Sequence, residues 1–111
     1  MLRAEGKKIF MDEGDWGLSL PFKLSGNDIL STDVFQFKIK KSIHNEESIV
    51  EKEFTNLSDV DGVFVFALDF TKEESDKLPE DKYRYGLKQY RDGELLNTVI
   101  SDGYFEVEKG V

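Results

Sequence analysis

The chain has no cysteine, one histidine and two prolines in 111 residues. Without thiols it can form no disulfide, no zinc–thiolate site and no cysteine nucleophile, and its redox compartment is left open. The core has to hold by packing alone. No apolar run approaches the roughly 20 residues of a membrane-spanning helix. The charged Met-Leu-Arg-Ala-Glu-Gly-Lys-Lys start is not followed by the apolar stretch of a signal peptide. Positive charge is also in short supply, 15 basic residues against 23 acidic, for a net charge of −8. Such a field repels phosphate backbones and anionic lipid, so neither nucleic acid nor membrane is expected as a partner. The excess acid reads chiefly as a solubility feature.

What is present fits one soluble globular domain over residues 1–111, with 39% hydrophobic and 34% charged residues. A chain of this length buries roughly two-thirds of its unfolded surface, enough for a core without staples. The dominant local signal is alternation, in which every second side chain of a strand faces the core. Leu18, Leu20, Phe22 and Leu24 alternate with Gly17, Ser19, Pro21 and Lys23, and Phe35, Phe37 and Ile39 with Gln36, Lys38 and Lys40. Pro21 cannot donate to a ladder, which marks its strand as an edge or a bulge. Residues 63–70 place Phe64, Phe66, Leu68 and Phe70 on one face, as a central strand does. Tyr83, Tyr85 and Leu87 share a face ahead of Asp92-Gly93, a favoured two-residue hairpin turn. Residues 94–100 form the return strand. A second Asp-Gly pair, Asp102-Gly103, repeats the turn signal before Tyr104–Val107, so the last third reads as a three-stranded meander. Weaker strands are expected at Lys8–Met11 and Ile49–Phe54. Thr71 followed by Glu74 forms a capping-box pattern ahead of Pro79, which predicts one short helical turn near residues 72–78. About seven or eight short strands with one helical turn is the sequence form of a sandwich.

The chemistry-bearing residues do not assemble into a recognised catalytic motif. His44 has no second histidine or cysteine to join it and reads as an exposed turn residue. Eight serines are scattered, none in a Gly-x-Ser-x-Gly elbow. Asp59-Val60-Asp61-Gly62 resembles part of a calcium loop. With Gly62 at the invariant glycine, however, the first and last ligand positions fall on Leu57 and Leu68, so a tight turn is expected. The acidic pairs Glu73/Glu74 and Glu80/Asp81 lie in a charged, loop-like segment where solvated carboxylates are the default. Gly14, Gly26, Gly62, Gly93 and Gly103 abut strands and read as turn glycines, and no glycine-rich phosphate loop exists. No enzymatic activity, metal or cofactor is expected. Trp16, Tyr90 and Tyr104 are read as flanking turns and are the aromatic candidates for a surface-binding platform.

Taken in order, several stretches resemble a family of phage structural proteins. They are Gly14-Asp15 with the alternating strand 18–24, Phe35-x-Phe37-x-Ile39-Lys40, and Gly62-x-Phe64-x-Phe66. Phe70-Thr71 then leads through Leu78-Pro79 to Tyr83-x-Tyr85-x-Leu87, followed by Asp92-Gly93, Thr98 and Gly103-x-Phe105-x-Val107. The order is similar to that of the N-terminal domain of baseplate upper proteins, from tailed phages and prophages of Gram-positive bacteria. The resemblance spans most of the chain. It implies an all-β, immunoglobulin-like antiparallel sandwich and a virion role in a tail or baseplate, made in the bacterial host cytoplasm. It also implies partners among other virion proteins or copies of the chain itself, as a homo-oligomer, and no catalytic residues to carry over. Because the chain ends at Val111, directly after the last predicted strand, a stand-alone accessory or connector protein is expected. The rival reading is a carbohydrate- or surface-binding sandwich using Trp16, Tyr90 and Tyr104.

Overall fold

The computed structural model describes residues 2–25, 29–42, 44 and 46–109, which leaves Gly26 outside. The strands are β1 (Arg3–Glu5), β2 (Lys8–Asp12), β3 (Ser19–Ser25), β4 (Val34–Lys40), β5 (Val50–Phe54), β6 (Ser58–Val60), β7 (Val63–Asp69), β8 (Asp81–Arg91) and β9 (Glu94–Glu108). A single helix, α1 (Lys72–Asp76), stands between β7 and β8. One sheet has the order β1-β2-β9-β8-β4-β5 and the other β3-β7-β6. Their facing sides are the alternating apolar sets, with Phe35, Phe37, Leu87 and Phe105 fully buried and Phe64, Phe66 and Tyr85 nearly so. The chain is an all-β sandwich of a six-stranded and a three-stranded sheet.

The pairing differs from the expected all-antiparallel arrangement in one place. β2 runs parallel to β9, from Lys8 opposite Tyr104 to Asp12 opposite Glu108. Parallel neighbours need a long crossover, and here nearly the whole chain is that crossover. The two strands that were not expected, β1 and β6, are three residues each, too short to show a periodicity. Pro21 does lie on an edge strand, since β3 pairs with β7 alone.

The expected meander is a hairpin instead, because β9 runs without a turn through Asp102-Gly103. Gly103 is absent from the left-handed region that Gly93 occupies, at φ 80°. It is required for a different reason. A Cβ on Gly103 would lie 2.3 Å from the Tyr85 ring. Tyr85 crosses β9 over this bare position and its hydroxyl donates to the Lys7 carbonyl at 2.7 Å, in the β1–β2 connection. Burial pushes its pKa up to about 12. Its neighbour Tyr83 donates to the Pro79 carbonyl at 2.7 Å, four residues back. That bond ties the start of β8 to the corner after α1, as in the tyrosine corner of immunoglobulin-like domains. The capping box forms as expected: Thr71 Oγ1 accepts from the Glu74 N–H and Glu74 Oε1 from the Thr71 N–H.

Lys52 joins the two sheets near this corner. It lies on the inward side of β5, and its ammonium donates to the Asp69 carbonyl at 2.6 Å and to Glu74 Oε1 at 2.9 Å. Burial disfavours charge on Glu74, but the Thr71 N–H and Lys52 more than offset it and hold the carboxyl below its usual value.

Two stability measurements test the core. Phe66 stacks on Phe22 at 5.1 Å and meets Phe54 at 4.5 Å, so Phe66→Ala should cost about 3–5 kcal/mol in urea titration. A midpoint close to that of the parent chain would refute the packing. Gly103→Ala should cost about 1–3 kcal/mol by overpacking against Tyr85, more than Tyr85→Phe, which loses one hydrogen bond worth about 0.5–1.5 kcal/mol. The reverse ranking would show that the ring does not cross at Gly103.

Candidate functional site

The β8–β9 hairpin organises the surface with the most to offer a partner. Its turn has two residues, Asp92 at φ 53° and Gly93 at φ 80°, between the paired Arg91 and Glu94. Left-handed geometry at both positions matches the strand twist and explains the Asp-Gly pair.

The base of this turn is tied to the core by a buried carboxylate. Asp33, just before β4, is 1% exposed. Its Oδ1 accepts from Arg91 Nε at 2.8 Å, and its Oδ2 from Gln89 at 2.7 Å, Arg91 at 2.9 Å and the Leu30 N–H at 3.0 Å. The Arg91 hydrogen bonds, outweighing desolvation, hold the Asp33 carboxyl far below the usual carboxylate range. Asp33 is not among the residues singled out from the sequence. Its parity gives it away: 33 continues the inward series 35, 37, 39, and Gln89 and Arg91 continue the inward series 83, 85, 87. Polar residues at inward positions call for one another.

Beyond this anchor, β9 has an open flank. On one side it pairs with β8 along its length, but β2 covers the other side only from Tyr104 to Glu108. Among the described residues no strand lies beyond Glu94–Gly103. The strand expected to end the meander, Tyr104–Val107, would have been an edge, but β2 covers it. β9 is thus interior at its end and, among the described residues, an edge only over this first stretch. Leu95 and Leu96 are about half exposed there, and Tyr90 lies opposite Leu95.

The outer face of the same sheet carries a notch of about 350 Å³ over β4, β8 and β9. Its lining includes Lys38, Lys40, Arg84 and Lys88 and no carboxylate. The notch exists because Gly86, opposite Lys38, puts no side chain between Arg84 and Lys88. Arg84 reaches Asp102 at 3.6 Å and lies over the Tyr104 ring at 5.0 Å. The alternation shows Lys38 and Lys40 facing outward, but bringing them beside Arg84 and Lys88 requires the β4–β8 register.

The candidates picked from the sequence fall apart in space. Trp16, 57% exposed, stands in the β2–β3 connection beside a shallow depression lined by Leu2, Met11, Leu18 and Phe70. Tyr104 is opposite Arg84 and Tyr90 opposite Leu95. Six residues of β8, about 20 Å, separate these two levels. Tyr104 flanks no turn, since β9 continues through it. His44 is an exposed turn residue whose N–H donates to Ser42 Oγ. Asp61 and Gly62 form a tight turn into β7, closed by the Gly62 N–H on Asp59 Oδ1 at 3.0 Å. Glu74 is committed to α1 and Lys52, while Glu73 is exposed. Asp81 pairs with Lys41, and the Glu80 N–H donates to Glu13. Among the described residues no group of three or more His, Cys, Asp or Glu side chains is placed to hold a metal. No helix among them is long and apolar enough to cross a membrane.

Removing Asp33 should loosen the hairpin. Asp33→Ala removes the carboxylate that the buried Gln89 and half-buried Arg91 share. Breaking a buried pair costs about 3–5 kcal/mol, and Arg91, one-third exposed, can partly rehydrate, which points to the lower bound. A group whose carboxyl is depressed on folding contributes its full stability above the unfolded pKa of about 3.9 and loses it as pH falls further. The urea midpoints of parent and Asp33→Ala should therefore converge below about pH 4. A gap independent of pH would show that Asp33 acts without its charge.

The sequence matches no protein-family model and no curated protein, and the fold matches no solved structure.

Proposed function

We propose that this chain is a non-enzymatic assembly module that works by protein–protein contact, and that it serves in a phage tail or baseplate. The virion assignment rests on the resemblance of the ordered motifs to baseplate upper proteins. The contact mode rests on one observation, the open flank of β9.

Open edges are templates for further pairing, and natural sheets guard them with proline, charge or shortness. The strands at the sheet edges are guarded. β3 carries Pro21, β5 carries Glu51 and Glu53, and β1 and β6 are three residues each. The stretch Leu95–Ile100 has neither proline nor charge and exposes Leu95 and Leu96. An extended segment of another virion protein, added beside it, would satisfy the free backbone groups and cover the leucines. The hairpin is prepared for that role, since its two-residue turn and the Asp33–Arg91 pair fix its shape before a partner arrives.

The test is co-expression with the products of neighbouring genes, with assembly mass measured by light scattering at high protein concentration. The parent chain should capture a virion protein, and Leu96→Lys/Val99→Lys, which charges the flank, should not. A chain that stays monomeric, captures none of these proteins and binds a purified glycan with micromolar affinity would overturn the proposal.

A further inference from the structure

We infer that the segment taken up at the open flank of β9 is acidic, an extended strand with carboxylates at alternate positions that reach the cations of the outer notch. This rests on the protein-contact reading above and names the chemistry of the partner.

The first observation is the local reversal of charge sign. The chain holds 23 acidic and 15 basic residues, yet the notch is lined by Lys38, Lys40, Arg84 and Lys88 with no carboxylate. The pairs that do reach these cations are long and exposed. Lys38 meets Glu51 at 3.9 Å and Arg84 meets Asp102 at 3.6 Å. Lys40 and Lys88 have no ion-pair partner among the described residues.

The second observation is position. Lys88 lies opposite Thr98, which belongs to the open stretch of β9 and lines the same notch. A strand added beside β9 would lie two strand spacings, about 10 Å, from β8. Thr98 is short, so a glutamate on the added strand and Lys88 can meet above it. Arg84 closes the notch at the level where β2 begins, because Tyr104 opposite it is the first residue of β9 that β2 covers.

The third observation is spacing. Arg84 and Lys88 are four residues apart on one face, about 14 Å, and Lys38 and Lys40 two apart, about 7 Å. A single small anion accepts hydrogen bonds only from donors about 3 Å from its oxygens and cannot engage all four. An extended strand repeats its outward side chains every 7 Å or so, so successive outward positions beside the open stretch run from the level of Lys88 toward Arg84, where β2 begins. A long polyanion such as nucleic acid meets the repulsion of the whole molecule. A few carboxylates feel mainly the cations within a screening length, about 10 Å at 0.1 M salt.

Fluorescence anisotropy with the intact chain and a labelled decapeptide of alternating glutamate and valine tests the inference at low ionic strength. The glutamate peptide should bind and its lysine–valine counterpart should not. Arg84→Glu/Lys88→Glu, checked for an unchanged melting temperature, should weaken binding by at least about tenfold, as should added salt. Equal binding of both peptides overturns the inference, as does displacement by inorganic phosphate, which would mark a small-anion site. Self-association that Arg84→Glu/Lys88→Glu abolishes and Glu51→Lys/Glu53→Lys restores also overturns it, in favour of β5 of a second copy. Retained capture of neighbouring gene products by Arg84→Glu/Lys88→Glu, with capture lost in Leu96→Lys/Val99→Lys, would sink the acidic specificity and leave the protein-contact reading standing.

Discussion

A continuous layer of rings joins the two sheets. Phe54 meets Phe66, Phe66 stacks on Phe22, Phe22 meets Phe37 edge-on and Phe37 meets Tyr85. The sequence passes from one sheet to the other and back, so neither sheet can slide without separating rings. In a chain without cysteine, this layer ties the sheets together without the inter-sheet disulfide that antibody domains use. Aromatic pairs contribute about 0.5–1.5 kcal/mol each beyond their buried area, and the geometry of every later feature hangs on that layer. Tyr85 continues it past Gly103 to the Lys7 carbonyl, and so the ring layer also fixes the first hairpin.

Legibility in the sequence followed range. Alternation placed the seven longer strands because it is a property of neighbours, and Asp92-Gly93 and Thr71–Glu74 declared their turn and cap within four residues. Gly103 was misread because a glycine needed for close approach and a glycine needed for a turn look alike locally. Only the register opposite Tyr85 separates them. The parallel β2–β9 pair and the Asp33–Arg91 contact join residues distant in sequence and leave no local trace beyond parity. The candidate site suffered most. Tyr90 and Tyr104 were picked by type, whereas the notch depends on Gly86 facing Lys38, a relation between strands.

Charge in this molecule is arranged as well as abundant. Inward charged residues are matched, Asp33 to Arg91 and Lys52 to Glu74, and they sit where an element must be held: the hairpin base and the corner at α1. Outward charges guard edges, as Glu51 and Glu53 do on β5, or gather around Gly86. The apolar open flank of β9 borders a notch whose charged lining residues are all cations. A partner would meet a backbone template and a charge filter side by side, the first supplying affinity without selectivity and the second selecting among strands.

The parallel pairing of β2 and β9 also bears on how the chain reaches its fold. Lys8 meets Tyr104 and Asp12 meets Glu108, so residues near the start cannot dock until the last strand has been synthesised and paired with β8. The hairpins β6–β7 and β8–β9 can close locally, but β1 and β2 have only each other while the ribosome completes the rest. Closing so long a loop comes late, because its entropy cost precedes any contact that repays it. During that interval Ile9 and Met11, buried in the finished protein, are exposed, and the future β2-binding side of β9 is open along its whole length. Nascent chains therefore carry a longer unguarded edge than mature ones, which makes the hazard of misassembly greater during synthesis than in the folded state.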